Sequence, residues 1–373
     1  MIKWGICMQA KVFEQNEGFN LGVIEGFYGK PWSWQTRLEY CDFLAKQGYG
    51  AYIYGPKFDL KLREHWQQPW SDAEREHLQQ LARCYQQAGL KFGIALSPYE
   101  VYQHWHSQTR DALVKKMAEI NAIGADILCI LFDDMRGDVP DLAVNQAEIC
   151  DFIAQHSQAE EVIMCPTYYS DDPVLERIFG AKPEGYLELL GQKLDKKFDV
   201  FWTGPSVWSV AYPPEHLIRV AEQLGRKPVI WDNYPVNDMK NWHYLFLRAF
   251  KDRLASMPSL TRGHFVNPMN QAQLSKISLY TLPLVYQQGE QYDPELALQQ
   301  ALTELAPKDL AVQLAQDTAD FADRGFKLLT PEEVKGLQAR YSKFDHPMAQ
   351  EVLGWLNKEY EFDANKVQQW TQD

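Results

Sequence analysis

Cysteine is scarce and scattered. Six thiols (Cys7, Cys41, Cys84, Cys129, Cys150 and Cys165) in 373 residues show no C-x-x-C spacing. That speaks against a disulfide framework and for free thiols in a reducing, cytoplasmic setting. Long apolar runs are missing too. The longest, around 127–132, is about eight residues, where a bilayer-crossing helix needs about 20. Residues 1–20 carry Lys3, Lys11, Glu14 and Glu17 and no apolar stretch of signal-peptide length. Basic charge is in short supply: 37 Lys and Arg against 50 Asp and Glu leave a net −13. A nucleic-acid or anionic-membrane partner normally meets a basic face, so both are excluded as leading readings. The chain has no G-x-G-x-x-G, G-x-x-x-x-G-K-[ST] or G-x-S-x-G element, no internal repeat and no low-complexity tract. Phosphate-cradling loops and nucleophile elbows therefore have no anchor here.

What is present is ordinary globular material, 46% hydrophobic and 23% charged, enough for a sizeable core. Aromatics reach 13%, with 12 Trp and 19 Tyr; flat rings with a polar edge suit sugars as well as cores. Eight short runs, 21–29, 50–57, 91–98, 126–134, 161–169, 199–205, 228–235 and 264–268, are mostly apolar on both alternating faces, as buried parallel strands are. Amphipathic stretches at 37–47, 73–88, 110–123, 142–155, 183–197, 214–224, 240–255 and 271–280 fall between or after them. Eight βα units over about 250 residues spell an α/β (β/α)8 TIM barrel. From about residue 286 the pattern turns all-helical (293–305, 308–325, 331–344, 347–362), with Pro near three of the starts. We therefore expect a catalytic barrel over 1–285 and a smaller helical region over 286–373.

In such barrels the C-terminal strand ends carry function. Here those ends are unusually polar: Glu25-Gly26-Phe27-Tyr28-Gly29, Tyr54-Gly55-Pro56-Lys57, Phe132-Asp133-Asp134, Cys165-Pro166-Thr167-Tyr168-Tyr169, Trp202-Thr203-Gly204-Pro205, Trp231-Asp232-Asn233-Tyr234 running on to Asn237-Asp238, and Asn267-Pro268-Met269-Asn270. Any one could be a solvated strand end or a helix cap; seven at one barrel mouth form a site. Asp133-Asp134 is the sharpest of them. Two adjacent carboxylates in a partly desolvated mouth repel, so one is expected to hold a proton, giving an acid and a base from identical groups. Neighbours on a regular strand point to opposite faces, so both reach the cavity only if the strand end is distorted. Asp138 and Asp141 raise a metal alternative, but no histidine falls at a fitting strand end, and no metal is expected. His104-Trp105-His106 has the look of a metal pair but lacks further ligands on later strands. Cys165 reads as a buried structural thiol, since a Cys nucleophile needs a paired base.

Taken in order over roughly residues 20–285, these strand-end motifs resemble glycoside hydrolase family 84, the β-N-acetylglucosaminidases. The resemblance implies retaining hydrolysis with no enzyme nucleophile and no cofactor. The substrate's 2-acetamido oxygen attacks C1 and forms an oxazoline, an exception to the two-carboxylate scheme. By the same resemblance, Asp133 accepts the acetamido N–H and Asp134 protonates the leaving oxygen and then deprotonates water. Tyr169 steadies the acetamido group and Trp231 walls its pocket. Gly26, through its carbonyl, and Lys57 contact sugar hydroxyls. Asn233, Asp238 and Asn267 hold the acetamido machinery and the outer hydroxyls. The substrate class would be an N-acetylglucosamine-bearing glycoside, glycopeptide or glycoprotein, with a homodimer through the C-terminal helices as a further expectation. A hyaluronan- or chito-oligosaccharide-cleaving hexosaminidase of the same mechanism, or a non-catalytic sugar-binding barrel, are the competing readings. The larger relatives often carry a small α/β domain ahead of the barrel, whereas here the first strand starts near residue 21.

Overall fold

The computed structural model describes residues 19–363 and 365–366. The eight expected strands form, each shorter than its apolar run: β1 (Asn20–Glu25), β2 (Ala51–Tyr54), β3 (Lys91–Leu96), β4 (Ile127–Leu131), β5 (Glu161–Cys165), β6 (Phe198–Trp202), β7 (Val229–Asp232) and β8 (Gly263–Val266). They pair in sequence order, all parallel, and β8 closes on β1. The apolar-on-both-faces pattern has a direct cause: alternate residues fill the barrel interior and face the helix layer. Every residue of β4, Ile-Leu-Cys-Ile-Leu, is buried.

Around the barrel run α1 (Trp34–Gln47), α2 (Asp72–Gln87), α3 (Ser107–Ile123), α4 (Leu142–His156), α5 (Val174–Phe179), α6 (Tyr186–Lys193), α7 (Pro214–Leu224), the single turn α8 (Met257–Leu260) and α9 (Ala272–Gln288). Local chemistry sets their ends. A Ser71/Glu74 capping box starts α2, and Gly48 and Gly124, in left-handed conformation, stop α1 and α3. His106 has a structural part: its Nδ1 accepts the Thr109 N–H at 3.3 Å and caps α3. The expected helix 183–197 shrinks to α6, and 271–280 lengthens to α9, which runs through Pro283.

One expected helix is absent. Over 240–255 only a short 3-10 turn, Met239–Asn241, is helical, and the chain then runs irregularly to α8. Leu245, Leu247 and Ala249 are buried at every second position, a spacing that belongs to extended chain. Beyond α9 come α10 (Pro294–Leu305), α11 (Lys308–Ala319), a π-turn at Asp320–Arg324, α12 (Pro331–Tyr341) and α13 (Pro347–Leu356). Their apolar cluster includes Leu310, Leu314, Tyr341 and Trp355, and draws in Leu245, Leu247, Leu274 and Ile277 from the preceding chain. The extended 245–249 segment is thus held between the barrel and the C-terminal helices.

The five cysteines among the described residues are free thiols; Cys7 and the rest of 1–18 lie outside them. Among the described residues no helix is long and apolar enough to cross a membrane.

Candidate active site

All nine residues singled out in the sequence line one cavity at the C-terminal mouth of the barrel, about 560 Å³ including its opening. Gly26 follows β1, Lys57 follows β2, Asp133 and Asp134 follow β4, Tyr169 follows β5, Trp231 ends β7 with Asn233 and Asp238 beyond it, and Asn267 follows β8. Tyr28, Cys165, Thr203, Val207, Trp208, Val236 and Met239 complete the lining.

Both carboxylates reach the cavity because the chain leaves its strand early. β4 stops at Leu131, and Asp134 takes φ 55°, in the left-handed region. A non-glycine residue there is uncommon, and at functional sites such strain re-aims a side chain. Arg63 secures the turn by donating from Nη2 to the Asp134 carbonyl at 3.2 Å.

The pair is chemically unequal. Asp133 Oδ2 is paired with the Lys57 ammonium, both side chains being buried. Its Oδ1 is buried with no hydrogen-bond partner among the described residues. Asp134 instead accepts from two phenols, Tyr28 at Oδ2 (2.9 Å) and Tyr169 at Oδ1 (3.1 Å). Burial first, then the Asp134 charge, pushes both phenols well above their ordinary range, so they stay neutral donors. Among the described residues no ion pair reaches the Asp134 carboxyl.

The adjacent tyrosines separate cleanly. Tyr169 faces the acid, whereas Tyr168 is buried behind it and donates to the Gly180 carbonyl at 2.7 Å. The resemblance gave Lys57 a sugar-hydroxyl contact; its ammonium lies on Asp133, 5.7 Å from the centre of the Trp231 ring.

The far wall is a hydrogen-bonded frame. Trp231 Nε1 and Asn267 Nδ2 both donate to Asn233 Oδ1 at 3.0 Å, and Asn267 Oδ1 accepts the Gly26 N–H at 3.2 Å. Gly26 must be glycine, because a Cβ would lie 2.4 Å from Trp231 Cζ2. Asp238 Oδ2 accepts the Tyr28 N–H at 2.7 Å. Burial, reinforced by Asp134, pushes the Asp238 carboxyl up to about 7, against the opposing Tyr28 N–H and Lys57. Tyr28 therefore touches both Asp134 and Asp238. Tyr28 belongs to the Glu25–Gly29 strand-end motif, but its part in the site shows only in these two contacts.

Two buried ion pairs hold the strand ends from outside. Glu25, preceding Gly26, takes both Nε (2.8 Å) and Nη2 (2.7 Å) of Arg37. Asp232, between Trp231 and Asn233, takes Nε (2.8 Å) and Nη2 (2.7 Å) of Arg253 and His264 Nε2 at 2.9 Å. Burial alone would raise the Asp232 carboxyl; Arg253 and the His264 hydrogen bond outweigh it and hold the group well below the usual range. Burial also keeps His264 neutral, which fits Nδ1 accepting from the Tyr286 hydroxyl at 2.5 Å.

The other candidates fall away from this centre. Asp138 is exposed and paired with Arg136 (3.1 Å to Nη2). Cys165 lines the cavity, but burial and then Asp133 push its thiol well above the ordinary range, as in an inert thiol.

A family model described as beta-N-acetylglucosaminidase matches residues 21–321. Protein O-GlcNAcase of Mus musculus is 30% identical over 277 residues, 72% of this chain and 30% of that protein; the Rattus norvegicus protein gives the same figures. The match thus spans under a third of the curated relatives' length. A solved O-GlcNAc hydrolase mutant of Thermobaculum terrenum superposes with TM-score 0.76 at 30% identity, covering 95% of this chain and 83% of that one. The chain belongs to the β-N-acetylglucosaminidase family, glycoside hydrolase family 84, which its strand-end motifs resemble.

Proposed function

We propose that the chain is a retaining exo-β-N-acetylglucosaminidase, releasing terminal β-linked N-acetylglucosamine by substrate-assisted catalysis. The observation that carries this reading is the unequal carboxylate pair: Asp133 with one oxygen on Lys57 and one buried without a partner, Asp134 between two phenols. A buried acceptor left unpaired is costly, and an amide N–H satisfies it. Asp133 Oδ1 is the acceptor for the acetamido N–H. That bond draws density toward the acetamido oxygen, which attacks C1 and opens the glycosidic bond. Asp134 gives its proton to the leaving oxygen. The product is an oxazoline whose developing positive charge Asp133 stabilises. Water then attacks C1, Asp134 takes its proton back, and the ring reopens to β-N-acetylglucosamine. Two inversions give net retention.

Trp231 walls the acetamido pocket, Tyr169 steadies the acetamido oxygen as it exchanges from Asp134, and Asn233 and Asn267 hold that wall. Gly26 and Asp238 take outer sugar hydroxyls. Such directed contacts close the pocket around a terminal sugar, as exo cleavage needs. We extend the proposal to a cytoplasmic protein, supported by the free thiols. We also extend it to a homodimer through the C-terminal helices, supported by the exposed Leu296 and Val312 on α10 and α11; sedimentation velocity tests it, and a monomer at tens of micromolar would remove it.

A chromogenic β-N-acetylglucosaminide is the direct test of activity. Wild type hydrolyses it, and Asp133→Asn, which keeps shape but not charge, lowers kcat by about 10²-fold or more while the fold survives. A wild type that binds N-acetylglucosamine without turnover would make the chain a sugar-binding barrel.

A further inference from the structure

The cavity has an exit, and its chemistry is specific. Of its sixteen lining residues only Trp208 and Met239 are exposed; the others are buried or half-buried. These two form the cavity's exposed edge, where it opens to solvent. Trp208 is 38% exposed and Met239 is 44% exposed, and the neighbouring Val210 reaches 76%. Trp208 and Met239 are two apolar side chains in water at the edge of a cavity whose floor carries the Asp133, Asp134 and Asn233 hydrogen-bonding groups, and Val210 extends the apolar run along the same loop. Such a ledge marks a contact surface.

The loop that presents Trp208 is held in place on both sides. Val207 N–H donates to Asp172 Oδ2 at 3.2 Å, and Val207 carbonyl accepts from Asn233 Nδ2 at 2.9 Å. Ser209 Oγ accepts from the Ser206 N–H and donates to the Ser206 carbonyl, both at 3.0 Å. Arg253, fixed on Asp232, donates to the Ser209 carbonyl at 3.3 Å. The indole itself is braced by Lys240, whose Nζ lies 5.3 Å from the ring centre. A solvent-exposed tryptophan on an immobilised loop is a preorganised binding surface, because the ordering entropy is already spent.

We propose that Trp208, with Met239 and Lys240 beside it, forms an aglycone subsite that takes a second sugar ring. The inference rests on the β-N-acetylglucosaminidase reading and specifies its substrate as a saccharide glycoside. An indole is about as broad as a pyranose, and its π face takes the ring's C–H hydrogens. Met239 supplies an adaptable apolar neighbour, and Lys240 a donor for ring hydroxyls.

The test compares two donors that share the first sugar: a β-N-acetylglucosaminyl disaccharide and β-N-acetylglucosaminyl fluoride, whose leaving group is a single atom. Trp208→Ala should lower kcat/KM on the disaccharide about fivefold or more, mainly through KM, and change the fluoride by less than about twofold. Trp208→Phe should restore part of the loss. Equal losses on both donors would make Trp208 structural. No loss on the disaccharide, a wild type that turns over the fluoride but not the disaccharide, or a loss confined to a Ser-linked glycopeptide would each overturn the subsite. A wild type inert to both donors would instead overturn the glycosidase reading beneath it.

Discussion

Asp133 and Asp134 are the same residue type, one bond apart in the chain, and the structure gives them different company. Lys57 lies on the first and two phenols on the second. If Asp134 is the general acid, its loss should hurt in proportion to how badly the leaving group needs a proton. Asp134→Asn is expected to lose roughly 10²–10⁴-fold on an alkyl glycoside and far less, in the first step, on an activated aryl glycoside. Pre-steady-state rates on both substrates read this, and equal losses would contradict the role. At this scale much of the site was legible. The strand-end motifs contained the nine of the sixteen cavity residues that the family resemblance singled out. Partners across the barrel were not legible. Lys57 on Asp133 joins two strand ends 76 residues apart, and Arg63 on the Asp134 carbonyl comes from a loop with no motif. Tyr28 stood in view within its motif but lacked a signal, since its importance lies in reaching Asp134 and Asp238 at once.

The elements that carry these side chains are fixed by buried ion pairs on their outer faces. Asp232 shows the logic: its neighbours Trp231 and Asn233 serve the cavity, and it turns the other way, as strand alternation requires. Removing one partner of such a pair strands a buried charge, which costs about 3–5 kcal/mol. Arg253→Met should therefore lower unfolding free energy by about that amount in urea titrations and reduce activity without touching substrate. A variant within 1 kcal/mol of wild type would show that Asp232 finds another partner. Strand order and most of the helices were readable from the apolar patterning, though the short α5 (Val174–Phe179) was not foreseen. The stretch 240–255 misled because its composition is helix-compatible while its burial follows every second residue: Leu245, Leu247 and Ala249. Arg253, which holds Asp232, lies in that same stretch. A helix there would have hidden the link between it and the site.

Across the whole molecule the C-terminal helices are tied to the barrel by a carboxylate. Glu351, on α13, accepts the N–H groups of Gln273 (2.9 Å) and Leu274 (2.8 Å) at the start of α9, just past the Asn267 loop. Burial pushes its carboxyl up to about 7, above the roughly 4.3 of an unfolded chain. The folded state then holds a proton that the unfolded state has released, so stability falls as pH rises between those values. Glu351→Gln removes the titration. From pH 5 to 7 wild type should lose up to about 2.7 kcal/mol relative to the variant, at about 1.4 kcal/mol per pH unit. Parallel urea-stability curves for the two proteins would show that the group is not buried in solution. The helical character of this region was plain in the sequence, with Pro at the helix starts. Its tie to the barrel was not, because a Glu on an amphipathic helix looks like any solvated residue.

The central claim is that the substrate's own acetamido group is the nucleophile, prepared by Asp133. Replacing the N-acetyl hydrogens with one, two and three fluorines weakens the carbonyl oxygen stepwise with little change in shape. The measurement is wild-type kcat/KM along that series. The account predicts a steep fall with each fluorine, tenfold or so per step, as each costs about 1.4 kcal/mol of transition-state stabilisation. A flat response, with a glycosyl group trapped on an aspartate or glutamate of the cavity, would contradict it.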